Sequence, residues 1–508
     1  MERRYSVKGH EIVLEVDPSL VAVEFDEDAP ASRKAAVLGP LHGTAAYRRE
    51  FEIPGENLTL VPVALVERTP DGLNTMSAGL RDTPDVRRVL QVFRHNDKKL
   101  VPSDRVMLGL REGTDHPMDV LEAYNAGILE SFGDNEFLVQ LQAQVDPIDV
   151  VIRMNEDQRI DYAEPDFIVL GRHRARGHEG GGVQSEVPAR VKATYADPLL
   201  SSQYAVFITE CDLAWQKQTG HPDVVIAILD EGVDTDHPDL QSAIQGMYDA
   251  TDDDNWQEPQ PWDAHGTACA GLAAAVGQNH IGIRGIGSGC SLFAIRIAYS
   301  PSPNADWITK DHWIRRAVDW AWMNGADVLS NSWGGGAYSQ SIVNALERAR
   351  TQGRGGRGSV VAIAAGNESG AVSFPANLPE MLTVSASNEY DEFKTRTSRD
   401  GEYWWGSNFG PEVDIAAPGV HNRTTDIRGA NGYDPTDYCD FNGTSSATPI
   451  VAGACGLMLS ANPKLTEADV RDILHRSADK VGQFPYAGGR NDQMGFGRLN
   501  VRKAIDMC

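Results

Sequence analysis

The stretch DVVIAILDEGVD, residues 223–234, is a run of branched and small apolar residues that ends in an acidic turn. Two segments further along, 308–325 and 339–353, have the composition and spacing of helices. Continuous apolar strands that alternate with helices predict an α/β fold, with a mainly parallel sheet covered by helices on both faces. Four more strands of this kind follow the first: CSLFAIRIA (290–298), ADVLSNSWG (326–334), GSVVAIAAGNESG (358–370) and EMLTVSASN (380–388).

Polar residues stand at the ends of these predicted strands. Asp230 ends the first strand, Asn331 and Ser332 end the third, and Asn367 ends the fourth. In parallel α/β sheets the ligand site forms at the carboxyl ends of the strands. We therefore expect these side chains to lie near one another.

The bulk composition excludes several classes of protein. The chain has 508 residues and a formal net charge of -26. Its length predicts two or three domains, and its acidity argues against binding to nucleic acid or to anionic membranes. No apolar run approaches the roughly 18 residues that span a bilayer. We expect neither a membrane nor a nucleic-acid partner.

The six cysteines and the first residues bear on the cellular compartment. The cysteines are scattered, without a CxxC pair or zinc-ligand spacing. The opening residues MERRYSVKGHEIVLEV lack the apolar segment of a secretory signal. Both features favour reduced cysteines and a cytoplasmic protein, with secretion as the alternative.

A change in composition divides the chain. Residues 171–197 are rich in Gly, Arg and polar residues and are interpreted as an exposed linker with a candidate cleavage site. Residues 198–508 form the α/β region, and the residues before the linker have an α+β pattern. Within them, 104–170 is predicted as one domain. Residues 1–103 are predicted as an N-terminal extension, and the hypothesis that it is a degenerate repeat rests on pattern alone.

Three segments carry the predicted chemistry. Asp230 ends a buried strand, His265 starts a helix built of Ala, Gly and Cys, and Ser445 and Ser446 start another apolar helix in NGTSSATP. Each feature alone is ordinary, because Asp favours turns and Ser caps helices. The chain order Asp, His, Ser is nevertheless that of subtilisin and differs from the orders in chymotrypsin and the α/β-hydrolases.

Six ordered motifs extend this correspondence. The chain resembles the subtilisin-like serine peptidases over about residues 197–508. The motifs are DEGVDTDHPDL (230–240), HGTACAG (265–271), NSWGGG (331–336), AAGNES (364–369), DIAAPG (414–419) and NGTSSATP (442–449).

The resemblance implies a subtilisin-like fold and a serine endopeptidase that forms an acyl-enzyme on protein or peptide substrates. The nucleophile of the family follows Gly-Thr, which selects Ser445 over Ser446. His265 would be the general base, Asp230 would orient it, and Asn367 would donate to the oxyanion. This chemistry needs no cofactor.

The resemblance also implies binding residues. The substrate would contact Ser332, Trp333, Gly334 and Gly366, the first three by pairing with its backbone.

A structural Ca²⁺ ion would be held by Asp239 and Asn279, with the carbonyl groups of Ile281 and Ile283. Such oxygen ligands suit Ca²⁺.

The segment QRIDYAEPDFIVLG, residues 158–171, resembles the end of a subtilisin propeptide. It implies that the chain is a zymogen whose own N-terminal region acts as an inhibitor until cleavage in the linker. The alternative is that residues 1–103 are a retained regulatory or partner-binding module of an intracellular peptidase.

Overall fold

The chain divides into two compact units in a computed structural model. The first unit comprises Met1–Arg172 with two short later segments, Asn304–His312 and Gly336–Ile342, and the second comprises the remaining residues. Of the predicted linker, residues 171–197, positions 173–195 lie outside the described residues, while Gly171 ends a strand of the first unit and Asp197 is buried. The structure describes residues 2–26, 28–38, 51–53, 55–64, 68–114, 116–133, 135–142, 145–172 and 196–508.

Twenty strands and twelve α-helices are assigned within these residues. The strands are β1 (Glu2–Val7), β2 (His10–Phe25), β3 (Phe51–Ile53), β4 (Leu58–Pro62), β5 (Val86–His95), β6 (Lys98–Leu110), β7 (Gly127–Ser131), β8 (Glu136–Gln140), β9 (Ile160–Gly171), β10 (Val225–Asp230), β11 (Ile244–Asp249), β12 (Ser291–Arg296), β13 (Ala298–Tyr299), β14 (Trp307–Lys310), β15 (Val328–Asn331), β16 (Val360–Ala364), β17 (Leu382–Ser387), β18 (Ile415–Pro418), β19 (Asn422–Thr425) and β20 (Tyr438–Phe441). The helices are α1 (Ala31–Leu38), α2 (Pro70–Arg81), α3 (Pro117–Glu122), α4 (Pro147–Asn155), α5 (Tyr204–Ile208), α6 (Cys211–Ala214), α7 (His265–Ala274), α8 (Asp311–Met323), α9 (Gln340–Gly356), α10 (Thr444–Ala461), α11 (Glu467–Ser477) and α12 (Val501–Met507).

The first unit has one order of elements twice. Strand, helix, two strands, helix and strand occur as β2-α1-β3-β4-α2-β5 and again as β6-α3-β7-β8-α4-β9. In each set the last strand pairs with the first, the third strand pairs with the first, and the second strand pairs with the third. Both first strands also shift register twice against their last strand, once in the middle and once at the end. The shared topology supports the repeat hypothesis.

The two later segments of the first unit join its sheet and its polar contacts. Strand β14 pairs antiparallel with β9, from Trp307 opposite Gly171 to Lys310 opposite Ile168. The sequence predicted helix from residue 308, and this is wrong. Residues 307–310 pair with a strand about 140 positions earlier, so their backbone groups are satisfied in the sheet and helix α8 begins only at Asp311.

Glu164 of β9 binds the backbone where α9 begins. Its carboxylate accepts hydrogen bonds from the Gln340 N–H (2.7 Å), the Ser341 N–H (2.9 Å) and the Ser339 hydroxyl (2.8 Å). The first N–H groups of a helix have no intrahelical acceptor, and a carboxylate there is favourable. Burial raises the pKa of Glu164 although these donors favour its charged form.

The second unit contains a seven-stranded parallel sheet in the order β11-β12-β10-β15-β16-β17-β18. The predicted parallel α/β sheet is confirmed. Strands β10, β15 and β16 are neighbours, and their carboxyl ends lead to Asp230, Ser332 and Asn367. The expected convergence of these side chains follows from that order.

Helices α7 and α10 pack against this sheet and against each other. Every residue of α7 is buried, as are residues 444–459 of α10. By length and composition α10 could cross a membrane, but 89% of it is buried inside the structure, as expected of a core helix. Its N-cap is Gly443, whose φ of 106° lies in the region that favours glycine.

Candidate active site

The two adjacent serines have different surroundings. Ser445 is the second residue of α10 and is 8% exposed, and its Oγ donates to the carbonyl oxygen of Ser332 at 3.1 Å. Ser446 is fully buried, and its Oγ accepts a hydrogen bond from the side chain of Asn422. Neither side chain caps the helix. The packing therefore leaves Ser445 as the more exposed of the two serines.

Asp230 and His265 form a buried pair. The Nδ1 atom of His265 lies 2.8 Å and 3.0 Å from the two carboxylate oxygens of Asp230. Burial by itself would lower the pKa of the imidazole, but the Asp230 carboxylate raises it well above its ordinary value. The ring of Phe441 meets the imidazole edge to face, with centroids 5.1 Å apart. These contacts hold the ring with Nδ1 on the carboxylate.

Cys269 lies one helical turn after His265 and touches the same pair. Its Sγ is 3.9 Å from His265 Nδ1 and donates to the Ser445 carbonyl oxygen at 3.5 Å. Burial raises the pKa of this thiol to about 11, so it stays neutral near pH 7. The sequence predicted only a reduced cysteine here. The i, i+4 spacing after His265 was the signal for this contact.

Asn367 faces the start of α10. Its Oδ1 accepts hydrogen bonds from the Thr444 N–H (2.9 Å) and the Thr444 hydroxyl (3.1 Å). These bonds orient the amide so that Nδ2 points away from Thr444. Within the described part of the chain Nδ2 has no hydrogen-bond partner, so a donor remains available beside Ser445.

Asn408 fixes the segment that carries Asn367. Its Oδ1 accepts from the N–H groups of Glu368 (2.9 Å) and Gly370 (3.0 Å). Its Nδ2 donates to the Ala365 carbonyl (3.1 Å) and to the Glu368 carboxylate (2.7 Å). Sequence reasoning missed this residue, because its partners lie 38 to 43 positions away and no local pattern marks it.

The predicted substrate-contact residues lie near Ser445 and Asn367. The Ser332 hydroxyl donates to the Ser445 carbonyl at 2.9 Å, and Trp333 and Gly334 follow it along the chain. The Gly366 N–H donates to the Thr444 hydroxyl at 3.2 Å. A Cβ on Gly366 would lie 2.3 Å from Asn408 Nδ2, which requires glycine there.

The predicted calcium residues gather around one carboxylate. Asn279 Nδ2 donates to Asp239 Oδ1 (2.7 Å), and the Ile283 N–H donates to Asp239 Oδ2 (2.9 Å). The Ile281 N–H donates to Asn279 Oδ1 at 2.9 Å. The Tyr438 hydroxyl also donates to Asp239 Oδ2, at 2.9 Å. The structure thus brings the four predicted residues together.

A second carboxylate, about 80 positions earlier in the chain, contacts the same loop. Asp197 accepts hydrogen bonds from the N–H groups of Gln278 (2.9 Å) and Asn279 (3.1 Å). Asp197 and Asp239 are both buried, and neither has an ion-pair partner among the described residues. A buried carboxylate without a counter-charge is costly. The donor set therefore fits a Ca²⁺ ion, provided that Asn279 presents its oxygen to it.

Comparison with known proteins identifies the class. Residues 221–497 match the model of the subtilase family, which is more than half of the chain. The chain therefore belongs to the subtilase family of serine peptidases. The predicted family and the predicted subtilisin-like fold are confirmed.

The individual relatives and the solved structure compared with the chain have sequence identities of 21–35%. The halolysin-like extracellular serine protease Nep of Natrialba magadii is 35% identical over 318 residues, which cover 61% of this chain and 52% of that protein. The calcium-dependent protease of Nostoc sp. is 34% identical over 340 residues, covering 58% and 48%. The chain thus spans about half the length of these relatives. Fervidolysin from Fervidobacterium pennivorans shares the fold, with a TM-score of 0.59, 21% identity, and coverage of 79% of this chain and 61% of that one.

Proposed function

We propose that the chain is a serine endopeptidase that hydrolyses protein or peptide substrates through an acyl-enzyme. The observation that carries the proposal is the convergence of the buried Asp230–His265 pair, the oriented Asn367 amide and Ser445 at the start of α10. In this family the same four residue types perform peptide hydrolysis in the same chain order.

The reaction begins at the Ser445 hydroxyl. A serine hydroxyl is a weak nucleophile and needs an adjacent base. Rotation about χ1 takes Oγ from the Ser332 carbonyl to His265 Nε2, which removes the proton as Oγ attacks the scissile carbonyl carbon. The imidazolium then protonates the leaving amine, and Asp230 stabilises the charged ring. Water, activated by the same imidazole, releases the acyl group.

Two donors stabilise the developing oxyanion. One is the Nδ2 of Asn367, which the Thr444 contacts orient. The other is the backbone N–H of Ser445, in the first turn of α10, where the helix dipole also favours negative charge. Such donors act because they are positioned before the charge forms.

The test is covalent labelling and hydrolysis. A fluorophosphonate probe labels the wild-type enzyme and Ser446→Ala but leaves Ser445→Ala unlabelled, and casein hydrolysis follows the same pattern. Equal labelling of Ser445→Ala would refute the assigned nucleophile. Labelling without hydrolysis of any protein or peptide would refute the peptidase function.

Calcium binding is part of the proposal. The side chains of Asp197, Asp239 and Asn279 would hold a structural ion, and a relative is named as a calcium-dependent protease. Free ligand at 100 times its Kd adds about 2.7 kcal/mol of stability. Calcium should raise the Tm of the wild type relative to EDTA, while Asp239→Asn shows no difference. A wild-type Tm that ignores calcium would refute the site.

We further infer that the N-terminal region restrains the peptidase as its own inhibitor. The pairing of β9 with β14 and the bonds from Glu164 to residues 339–341 support this role. Purified enzyme should cleave itself within 171–197, and Ser445→Ala should stay intact. Stable full-length enzyme that is cleaved only with a partner would instead support the retained regulatory module, which the doubled topology of the first unit favours.

The cellular location is tested separately. A relative named as extracellular favours secretion over the cytoplasmic location that the sequence predicted. Secretion predicts peptidase activity in the culture medium, whereas activity confined to the cell lysate would support the cytoplasmic location.

A further inference from the structure

The side chain that begins the turn before Ser445 is held from two sides. Asn442 stands three residues before Ser445, at the start of residues 442–446, which we call the nucleophile turn. Its Oδ1 accepts a hydrogen bond from the His421 N–H at 2.6 Å, and its Nδ2 donates to the Glu402 carboxylate at 2.7 Å. Both ends of the amide are bound, so His421 and Glu402 fix the entry to the nucleophile turn.

The imidazole of His421 lies between two buried carboxylates. Its Nδ1 is 3.3 Å from Glu389, and its Nε2 is 3.4 Å from the Glu402 oxygen that accepts from Asn442. The side chains of Glu389 and Glu402 are 5% and 4% exposed. Although burial would lower the pKa of His421, the two carboxylates raise it to about 10. The ring is therefore an imidazolium at neutral pH, with a negative charge at each nitrogen.

The nearby charged side chains have other partners. The Lys394 ammonium donates to the Glu402 carbonyl oxygen, but its ion-pair partner is the Asp400 carboxylate, 2.9 Å away. The Arg423 guanidinium lies 3.4 Å from the Asp440 carboxylate. In the described part of the chain, the imidazolium is thus the cation that meets the Glu402 carboxylate.

Neutral donors complete the surroundings of the two carboxylates. The Tyr204 hydroxyl donates to the Val420 carbonyl oxygen at 2.7 Å, and burial raises its pKa well above its ordinary value, so it stays neutral. The indole N–H of the buried Trp405 donates to the Glu402 carboxylate. The second oxygen of Glu389 is buried and has no hydrogen-bond partner within the described residues. The charge of Glu389 therefore depends on the imidazolium.

Loss of the imidazolium charge would weaken the hold on Asn442. A buried carboxylate without a counter-charge is costly, so it takes up a proton or moves toward water. A protonated Glu402 accepts a weaker hydrogen bond than a charged one, and a displaced Glu402 accepts none. The charge of His421 is in this way transmitted to the nucleophile turn.

We propose that His421 is a positioning residue for the hydrolysis, because its imidazolium holds Glu402 against Asn442 and so keeps the nucleophile turn in the reactive position. The inference rests on the proposed peptidase function. His421 itself touches neither Ser445 nor the substrate in this role.

The expected effect is partial because the turn has further attachments. The Gly443 N–H donates to the Gly419 carbonyl oxygen at 2.8 Å, and the Asn422 side chain donates to the Ser446 hydroxyl. A misplacement of about 1 Å costs about 100-fold in rate, and a turn that keeps these bonds should move less, so we expect kcat to fall about tenfold. The KM should change little, because residues 332–334 keep their place.

The test is the pH dependence of kcat on a p-nitroanilide substrate, from about pH 7 to about pH 11. In the wild type kcat should fall as the pH rises through about 10, where the imidazolium loses its proton. His421→Gln should have the lower kcat at neutral pH already and should lack this fall. Glu402→Gln removes one of the two charges that raise the pKa, so its fall should move to lower pH.

The matched control is His475→Gln. His475 also lies beside a carboxylate, 2.8 Å from Asp414, but it stands in α11 and stacks on Phe496. This variant should keep the wild-type kcat and the wild-type pH dependence, and thermal melts at each pH show whether a variant is folded. A fall that persists in His421→Gln, or that stays at the same pH in Glu402→Gln, would overturn the inference. A purely structural role of His421 predicts that unchanged pH.

A second measurement does not need activity and separates the two levels of the proposal. In Ser445→Ala enzyme with isotope-labelled histidine, the NMR signal that His421→Gln removes should titrate near pH 10. If that signal titrates near the ordinary value of about 6.5, this inference fails even in an active peptidase. If the wild type hydrolyses no substrate at any pH, the proposed function fails instead, and with it the positioning role.

Discussion

Asn408→Ala should slow catalysis although its side chain touches no substrate. The substitution removes four side-chain hydrogen bonds to residues 365–370. Two backbone N–H groups and one carbonyl then lose their partner. The segment that carries Asn367 is no longer held in one position, while the rest of the sheet keeps its contacts.

The magnitude follows from those three backbone groups. A buried polar group left without a partner costs about 1–3 kcal/mol, and the lower value applies because Glu368 and Gly370 are partly exposed to water. The sum is about 3 kcal/mol, or about 150-fold in rate at 1.36 kcal/mol per tenfold. Loss of an oxyanion donor itself costs about 10²–10³ in kcat. We expect kcat of Asn408→Ala to fall about 100-fold with little change in KM.

The assay is a double-mutant cycle on a p-nitroanilide substrate, with enzyme concentrations set by active-site titration. If Asn408 acts through Asn367, the double variant should be no slower than Asn367→Ala alone. Thermal melts of each variant control for general destabilisation. Effects that multiply in the double variant, or a rise in KM with kcat unchanged, would refute the reasoning.

Three further predictions concern the two adjacent serines, Cys269 and His421. Ser445→Ala should abolish peptide hydrolysis, whereas Ser446→Ala should keep most activity and lose about 1 kcal/mol of unfolding free energy with its Asn422 contact; equal losses of activity would contradict the assignment. Mercurial reagents should inactivate the wild type slowly through the buried Cys269 beside His265, and Cys269→Ala should resist them. Although burial opposes it, Glu389 and Glu402 raise the pKa of His421 to about 10, so its stabilisation is complete below about pH 6.5 and is lost as pH rises through about 10; denaturant unfolding of His421→Gln should lack this alkaline loss.

The elements that the sequence predicted well are those with local patterns. The apolar residues of β10 and the small residues of α7 are enough by themselves to predict that both elements are buried. Residues 308–310 were misassigned because their partner strand β9 lies far away in the sequence. Local sequence propensity contains no information about a hydrogen-bond partner that lies about 140 positions away.

The sequence by itself predicted the class of the fold and the family, which are confirmed, and it selected Asp230, His265, Ser445 and Asn367 as the proposed catalytic residues. Ordered short motifs suffice for these, because the motifs that carry Asp230, His265, Ser445 and Asn367 lie where a strand ends or a helix begins.

Only the tertiary structure decided which residues hold that site in place. The Asn408 side chain forms hydrogen bonds with residues 365–370, and the Glu402 carboxylate accepts a hydrogen bond from Asn442. It also decided that the Ser446 hydroxyl accepts a hydrogen bond from Asn422 while the Ser445 hydroxyl donates to the Ser332 carbonyl. These relations depend on the order of strands in the sheet, which brings distant loops to one edge. A hydrogen bond forms wherever the fold places its donor and acceptor, whatever their separation along the chain.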